Sequence, residues 1–423
     1  MKVMVVGSGG REHAIIKKLK ENKNITELYA VPGNGGMAND AILVDIGAKE
    51  LDKICDFAVK TGIDFAVVAP DDPLVLGLVD KLNEVGIECF GPKKNAAIIE
   101  GSKAFSKNLM KKYGIPTAEY ENFSDLQQAL DYLDKKSAPI VIKADGLALG
   151  KGVIIAQTIE EAKQAVIEMM QNGKFGASGN TVVIEEFLEG PEVSVLAFTD
   201  GNIVVPMVSS MDHKRAKDND EGLNTGGMGT IAPNPYYTKD IAEICDKTIF
   251  KPTIDAMNKE GRTFKGCLYF GLMLTKNGPK VIEYNCRFGD PETQVVLPLM
   301  ESDLFTVMQK TARGTLDYAD VKFSNKHACC IIIASNGYPE AYDKGFEIVQ
   351  NAQLDGEVYV AGAKLADGKL LTNGGRVLGV TTVADSLKGA IEKGYKEINK
   401  IGFENAFYRH DIGQRALKAT EDK

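Results

Sequence analysis

The segment Pro139 to Ala156, reading PIVIKADGLALGKGVIIA, sets two runs of Val, Ile and Ala on either side of a loop that carries Gly146, Gly150, Gly152 and the lysines Lys143 and Lys151. The β-branched flanks favour extended chain, so the loop joins one strand to another. Its glycines let backbone N–H groups approach phosphate oxygens closely, and the two ammonium groups add point charges. A Walker A loop requires Gly-x-x-x-x-Gly-Lys-Ser/Thr opening a helix. Here Gly146-x-x-x-Gly150-Lys151-Gly152 runs into a second strand, which argues against a P-loop fold. Two readings stay open from these residues alone: a hairpin that closes over a polyphosphate, and a plain hairpin with a flexible tip.

A chain of 423 residues exceeds one ordinary core, so two to four domains are expected. Apolar content of 44% and charged content of 26% suit a soluble globular protein. The formal charge of -8 argues against broad binding of nucleic acid or an acidic membrane, while local basic clusters can still grip a small anion. No signal-peptide pattern or long apolar span is present, so a cytoplasmic location is expected. Seven cysteines, an odd number without a Cys-x-x-Cys pair, fit a reducing compartment and give no zinc pattern. Cys329 and Cys330 are expected in the core of a strand, and the polar stretch from Ser209 to Gly229 is expected as a loop.

The first hundred residues alternate strand and helix: Val3 to Val6, a helix after Arg11, Glu27 to Val31, Leu51 to Thr61, Phe65 to Ala69, then a helix from Leu74 to Val85. That order predicts an open parallel α/β sheet. Gly101-Ser-Lys-Ala-Phe105 starts a helix ending near Tyr113-Gly114. Helix, strand, hairpin, helix and strand follow to about residue 190, then antiparallel-looking strands with more helices to about Gly314. The last hundred residues contain the strand Ala328 to Ser335 and a helix from Ser386 to Lys400, predicting a small α+β domain.

Several stretches carry chemistry. The first strand ends in Gly7-Ser-Gly-Gly-Arg-Glu12, with Glu12 where a dinucleotide fingerprint has its third glycine. The second strand ends in Pro32-Gly33-Asn34, without an acid for a ribose diol, so NAD binding is disfavoured. Gly9, Gly10 and Arg11 at the helix start suit one phosphate monoester, or simply make a tight turn. His13 reads as a packed or surface histidine. The strand and acidic turn from Thr181 to Ser194 suit a nucleotide hinge: backbone around Glu185, Glu186 and Leu188 for the adenine edge, and Glu192 for ribose hydroxyls. An exposed acidic turn is the other reading. Period-two geometry puts Glu283 and Asn285 on one face of a strand end, two hard oxygens that suffice for magnesium if ATP supplies more. Arg287 follows, placed to neutralise charge at a transferring phosphoryl. The 209–229 stretch offers Asp212, His213 and Lys214 in both charge signs, and Asn224, Thr225, Gly226 and Gly227 with backbone donors.

Together these stretches, with Asp212-His-Lys-Arg215, Asn285-Cys-Arg-Phe-Gly-Asp-Pro-Glu-Thr293 and Asn373-Gly-Gly-Arg-Val-Leu-Gly379, resemble the ATP-grasp superfamily and, within it, the phosphoribosylamine–glycine ligase family. The resemblance covers essentially the whole chain. It implies an N-terminal open parallel α/β domain over 1–100, a two-subdomain ATP-grasp core over 101–325 with a small lid at about 120–190, and a C-terminal α+β domain over 326–423. It implies ATP-dependent ligation of glycine to 5-phosphoribosylamine through glycyl phosphate, a step of purine synthesis, with ATP and Mg²⁺ or Mn²⁺ as cofactors. Lys103 and Lys143 would hold ATP phosphates, with Gly146, Gly150, Lys151 and Gly152 closing over them; Glu283 and Asn285 would hold the metal, and Arg287 and Lys143 would act in catalysis. Gly9, Gly10, Arg11 and Asn34 would take the sugar phosphate, and Asp212, His213, Lys214, Asn224 to Gly227 and Asp290 would line the substrate side.

The implied partners are small molecules, with no nucleic acid and no membrane; a monomer and transient contact with the enzyme supplying phosphoribosylamine are both compatible. The sequence departs from the resemblance at Ala69-Pro-Asp-Asp-Pro-Leu74, where Gly-Pro-Glu is expected before Pro-Leu. The strand Tyr269 to Thr275 supplies no acid to the metal site. Another ATP-grasp carboxylate–amine ligase, or a nucleotide-binding regulator without turnover, would keep the same grip on ATP.

Overall fold

The computed structural model describes residues 1–147, 152–172 and 176–421. Near its start, Val3, Met4, Val5 and Val6 are all fully buried. Such a continuous apolar run marks a strand covered on both faces. It sits centrally in a five-stranded sheet of order Ile42–Leu43, Glu27–Pro32, Lys2–Gly7, Phe65–Val68 and Glu88–Phe90, every pair parallel. The expected parallel sheet is therefore present. The helix expected from Leu74 to Val85 is instead two helices, Asp71–Leu76 and Leu78–Glu84, because Gly77 takes φ 97 between them. That left-handed conformation suits glycine and ends the first helix.

The middle of the chain holds two antiparallel sheets. One orders Val204–Pro206, Glu192–Thr199, Gly266–Thr275 and Gly278–Asn285; the other orders Tyr120–Phe123, Val182–Glu186, Ile140–Ala144 and Val153–Ala156. In the second, Ile140 pairs with Ala156 and Lys143 with Val153, the hairpin read from the sequence. Helices Leu126–Leu133 and Ile159–Met170 cover this sheet and close a core of its own, including Leu133, Ile142, Val166 and Ile184. This sheet and its two helices, the lid, form a lobe with a core of their own. Gly150 and Lys151 lie outside the described residues.

The polar 209–229 stretch is not the loop expected of it. Met211–Asp212 pairs with Gly229–Ala232, and Arg215–Lys217 pairs with Glu221–Asn224. Strands of two to four residues are too short for apolar alternation to be read. The turn between the second pair holds Asn219 at φ 60 and Asp220 at φ 55. Gly229–Ala232 then pairs with His327–Ser335, so the sheet of the C-terminal region continues into this stretch: Met211–Asp212, Gly229–Ala232, His327–Ser335, Arg376–Ala384, Glu357–Val360. Cys329 and Cys330 are fully buried in its long strand, and all seven cysteines are free and buried. Among the described residues no helix is long and apolar enough to cross a membrane.

Candidate active site

A cavity of about 710 Å³ opens where these parts meet. Arg11 and Asp71 reach it from the first turns of the helices Gly10–Leu19 and Asp71–Leu76 beside the N-terminal sheet, Lys143 and Glu185 from the lid, Glu283, Asn285 and Arg287 from the end of the central sheet, and Tyr338, Arg376 and Arg415 from the C-terminal region. Val141, Val153, Ile155, Leu188 and Met273 line one side. That apolar side suits a flat ring, and the charged side suits its phosphates.

The lid's polar face is set by period two. Val141 and Lys143 alternate with buried Ile140 and Ile142 and face the cavity. Lys143 is itself buried, with Nζ 3.0 Å from Glu185 Oε1 and donating to Ile282 O at 3.0 Å. Lys107 Nζ lies 2.8 Å from Glu185 Oε2. Glu185 therefore spends its carboxylate on two lysines. Glu186 turns to Lys280 at 2.7 Å, and Glu192 pairs with Lys214. The carboxylate expected to accept from ribose is thus already paired.

Ser102 caps the helix Lys103–Tyr113, its side chain accepting from the Phe105 N–H. The Asp145 carboxylate joins the same helix start, accepting from Ser102 Oγ and the Ala104 N–H, each at 3.0 Å. Carboxylates are favoured there by the helix dipole. Lys103 Nζ donates to Gly146 O at 2.8 Å, and burial lowers its pKa. The helix Lys103–Tyr113 is so tied to Asp145 and Gly146, just after the strand Ile140–Ala144. Gly152 also lines the cavity.

Glu283 and Asn285 do share one face. Burial alone would raise the Glu283 pKa, but Lys214, Lys143 and Lys103 outweigh it and hold the carboxylate ionised. Asn285 Oδ1 lies 3.4 Å from Arg287 Nη2. One ionised carboxylate and one amide oxygen on a shared face fit a divalent cation that draws its remaining ligands from phosphate and water. Among the described residues no cluster of three or more His, Cys, Asp or Glu side chains offers a fuller cage.

Arg287 is ion-paired with Glu100 at 3.1 Å, and its Nε is buried without a hydrogen-bond partner. Glu100 also accepts from the Cys286 N–H at 2.7 Å, and burial raises its pKa. Asp71, the acid of the departing Asp-Asp motif, faces the same guanidinium. Burial would raise its pKa, yet Arg287 and Arg11 bring it below the usual value.

The expected sugar-phosphate seat is only partly assembled. Arg11 lines the cavity, held by Glu12 and by the carbonyl of Phe288 at 3.0 Å. The Gly9 N–H is not free: it donates to Glu12 Oε2 at 2.6 Å, so Glu12 fills the place a phosphate oxygen would take. Gly10 is buried, and a Cβ there would meet Gln294 Nε2 at 2.7 Å. Asn34 stands apart from the cavity. Its amide donates to Ser8 O and Val360 O, both at 2.8 Å, and its Oδ1 accepts from the Gly36 N–H at 2.8 Å. The polar atoms of Asn34 are thus spent within the fold.

On the substrate side, Asp212, Lys214, Asn224, Thr225 and Gly226 line the cavity, and Gly227 packs just behind, where a Cβ would meet Asp212 Oδ1 at 2.5 Å. Burial raises the Asp212 pKa, with the Glu292 carboxylate adding to the effect; burial likewise raises Glu292. His213 turns away from the cavity: it is 3% exposed, its Nδ1 lies 3.0 Å from Gly229 O, and its Nε2 accepts from the Gly413 N–H at 3.1 Å. Burial takes its pKa down to about 4. A neutral ring bonded at both nitrogens joins two segments and has no free atom for a substrate.

Sequence reasoning gave no role to Arg376, Glu292, Lys107, Tyr338 or Arg415, all of which line the cavity. Lys107 had a signal, since it lies four residues after Lys103 and so on the same helix face. Arg376 sat inside the Asn373 to Gly379 motif without a role. Its guanidinium donates to Gly226 O at 2.7 Å and to Asp290 O at 2.8 Å.

Family models match nearly all of the chain: Phosphoribosylglycinamide synthetase, N domain, over residues 1–100; its ATP-grasp (A) domain over 101–293; and its C domain over 328–415. The phosphoribosylamine–glycine ligase of Caldanaerobacter subterraneus subsp. tengcongensis is 48% identical over 413 residues, 97% of this chain and 99% of that protein. A solved phosphoribosylamine–glycine ligase from Thermotoga maritima superposes with a TM-score of 0.86 at 36% identity, over 97% of this chain and 100% of that one. The biotin carboxylase domain of Hydrogenobacter thermophilus 2-oxoglutarate carboxylase, solved with MgADP, ADP and bicarbonate, shares the fold at 18% identity and a TM-score of 0.74, over 96% of this chain and 91% of that one.

Proposed function

The chain belongs to the phosphoribosylglycinamide synthetase family, and from that premise we infer that it joins glycine to 5-phosphoribosylamine, giving glycinamide ribonucleotide while ATP becomes ADP and phosphate. The supporting observation is the convergence of Lys143, Glu283 and Arg287 with Arg11 and Arg376 on one cavity with an apolar flank.

Glycine's carboxylate is a poor acyl donor, so the reaction runs in two displacements. A carboxylate oxygen attacks the γ-phosphorus of ATP, forming glycyl phosphate and releasing ADP. The amine nitrogen of phosphoribosylamine then attacks the glycyl carbonyl carbon; phosphate leaves, and the nitrogen gives up a proton. Glu283 and Asn285 would hold Mg²⁺ or Mn²⁺, which when bound supplies charge neutralisation between nucleotide phosphates. Lys103 and Lys143 carry charge to the phosphates, and Arg287 offers its partly unpaired guanidinium to the transferring group. Asp212 and Glu292, neighbouring carboxyls titrating above the ordinary range, suit acceptance of the amine proton. Arg11 and Arg376, each paired with one carboxylate, would offer their remaining N–H donors to the sugar phosphate.

We take the domains at the boundaries read from the sequence, 1–100, 101–325 with the lid at about 120–190, and 326–423, with strands from 211–232 joining the sheet of the last. The cytoplasm suits seven unpaired thiols. A monomer is the assembly we favour, meeting the source of its short-lived amine substrate transiently.

The test is ADP release with ATP and Mg²⁺, adding glycine and freshly generated phosphoribosylamine separately and then together. Release only with both, together with glycinamide ribonucleotide, is expected; ATP binding without release under any combination would refute the assignment.

A further inference from the structure

Lys107 and Lys143 approach one carboxylate from different elements. Lys107 stands on the helix Lys103–Tyr113, while Lys143 and Glu185 stand on adjacent antiparallel strands of the lid. Both lysines meet at Glu185 Oε2: Lys107 Nζ lies 2.8 Å from it and Lys143 Nζ donates to it at 3.1 Å, while Oε1 lies 3.0 Å from Lys143 Nζ. All three side chains are buried. Each ammonium has a further tie to the strand Gly278–Asn285. Lys143 donates to Ile282 O at 3.0 Å; Lys107 donates to Thr117 Oγ1 at 2.8 Å, and that hydroxyl donates to Val281 O at 2.7 Å. Two consecutive carbonyls of the strand that carries Glu283 and Asn285 therefore fix the pair of lysines.

Charge decides what the arrangement does. Two ammoniums and one carboxylate leave one positive charge. Without Lys107 the sum is zero, and the whole carboxylate charge falls on Lys143, which already lies within 3.1 Å of both its oxygens. An ammonium neutralised in that way has little attraction left for a phosphate. Burial brings the Lys107 pKa down to about 8, with Glu185 opposing the fall, so the residue is charged at neutral pH.

We propose that Lys107 is a positioning residue of the nucleotide site, sharing Glu185 Oε2 with Lys143 so that the lysine pair keeps one net positive charge for the nucleotide phosphates. This rests on the reading of Lys143 as a phosphate ligand. Lys107 acts through Glu185, its ammonium being engaged by that carboxylate and by Thr117.

The experiment measures binding of ADP with Mg²⁺ by calorimetry, and the KM values for ATP and glycine, in the wild type, Lys107→Met, Glu185→Gln and the double variant. Lys107→Met is expected to weaken ADP binding and raise the ATP KM by roughly 10- to 100-fold, leaving the glycine KM unmoved. Adding Glu185→Gln restores the single positive charge and is expected to recover most of the loss. A Lys107→Met variant that binds ADP like the wild type, or a double variant no better than Lys107→Met, overturns the proposal. Lys107→Gln, uncharged but still a donor to Glu185, makes the same comparison if the methionine variant does not fold. A wild type that binds no ADP refutes the nucleotide reading itself and the proposal with it; a wild type that binds while the variants match it refutes the proposal alone.

Discussion

Arg376 Nη2 lies 3.0 Å from the Asp290 carboxylate, and the same guanidinium holds the carbonyls of Gly226 and Asp290. A residue of the C-terminal sheet thereby fixes two turns of the central region on the substrate side of the cavity. Arg376→Ala is expected to lower kcat/KM for phosphoribosylamine by on the order of 10²-fold, because two carbonyls lose a donor and the half-buried Asp290 carboxylate, left with Gln294, loses its counter-charge. Arg376→Lys should recover only part, since a point charge cannot reproduce the planar fork. Steady-state kinetics with melting curves on the same preparations check both.

Arg287 and Glu100 separate catalysis from stability. Arg287→Ala should reduce turnover by on the order of 10²-fold or more and cost about 3 kcal/mol of stability, the cost coming from the buried Glu100 left unpaired. Arg287→Ala with Glu100→Gln should regain much of the stability and none of the turnover. Restored turnover in the double variant would remove Arg287 from the chemistry.

Glu283→Gln takes the charged donor from the candidate cation site. The Mg²⁺ concentration for half-maximal activity should rise by at least about tenfold, with little change in melting temperature without metal. Removing metal with a chelator should abolish turnover in the wild type, and adding Mg²⁺ or Mn²⁺ should restore it. Unchanged Mg²⁺ dependence in the variant would place the cation elsewhere.

His213 makes the fold sensitive to acid. Its folded pKa, about 4, lies below the ordinary 6.5. Below pH 6.5 the unfolded chain therefore takes up a proton that the folded chain refuses, and stability falls until the pH nears the folded value. The loss from this residue should be about 2 kcal/mol by about pH 5. His13, whose pKa burial also lowers, acts in the same direction; it accepts from the Val360 N–H at 2.8 Å. His213→Gln should flatten the stability profile between about pH 6.5 and 5, measured by denaturant melts, and an unchanged profile would exclude the ring as its source.

How far the fold was legible depended on where the determinants lie. The hairpin around Lys143 was readable because β-branched runs flank it and its glycines sit between them. Glu283 and Asn285 were readable as a pair because strand period alone puts them on one face. The hairpins within 209–229 were not, since their pairing partners contribute no apolar pattern. Asn34 and His213 look in sequence like ligands; their real partners, Val360 and Gly413, lie hundreds of residues away. Glu12 shows the same limit at short range: its replacement of a glycine was visible, but not that its carboxylate would occupy the Gly9 N–H. The lysine pair on Glu185 needed helix, lid and strand together before its geometry existed.

The buried thiols give this molecule a set of internal clocks. Cys55 and Cys89 lie in the N-terminal part, Cys245, Cys267 and Cys286 in the middle, and Cys329 and Cys330 in the last sheet, while no cysteine falls between 89 and 245. A thiol-specific alkylating reagent reaches each group only when the surrounding structure opens. Mass tags gathered over time should therefore report which part of the chain opens first, and swinging of the lid, which carries no thiol, should leave no tag at all.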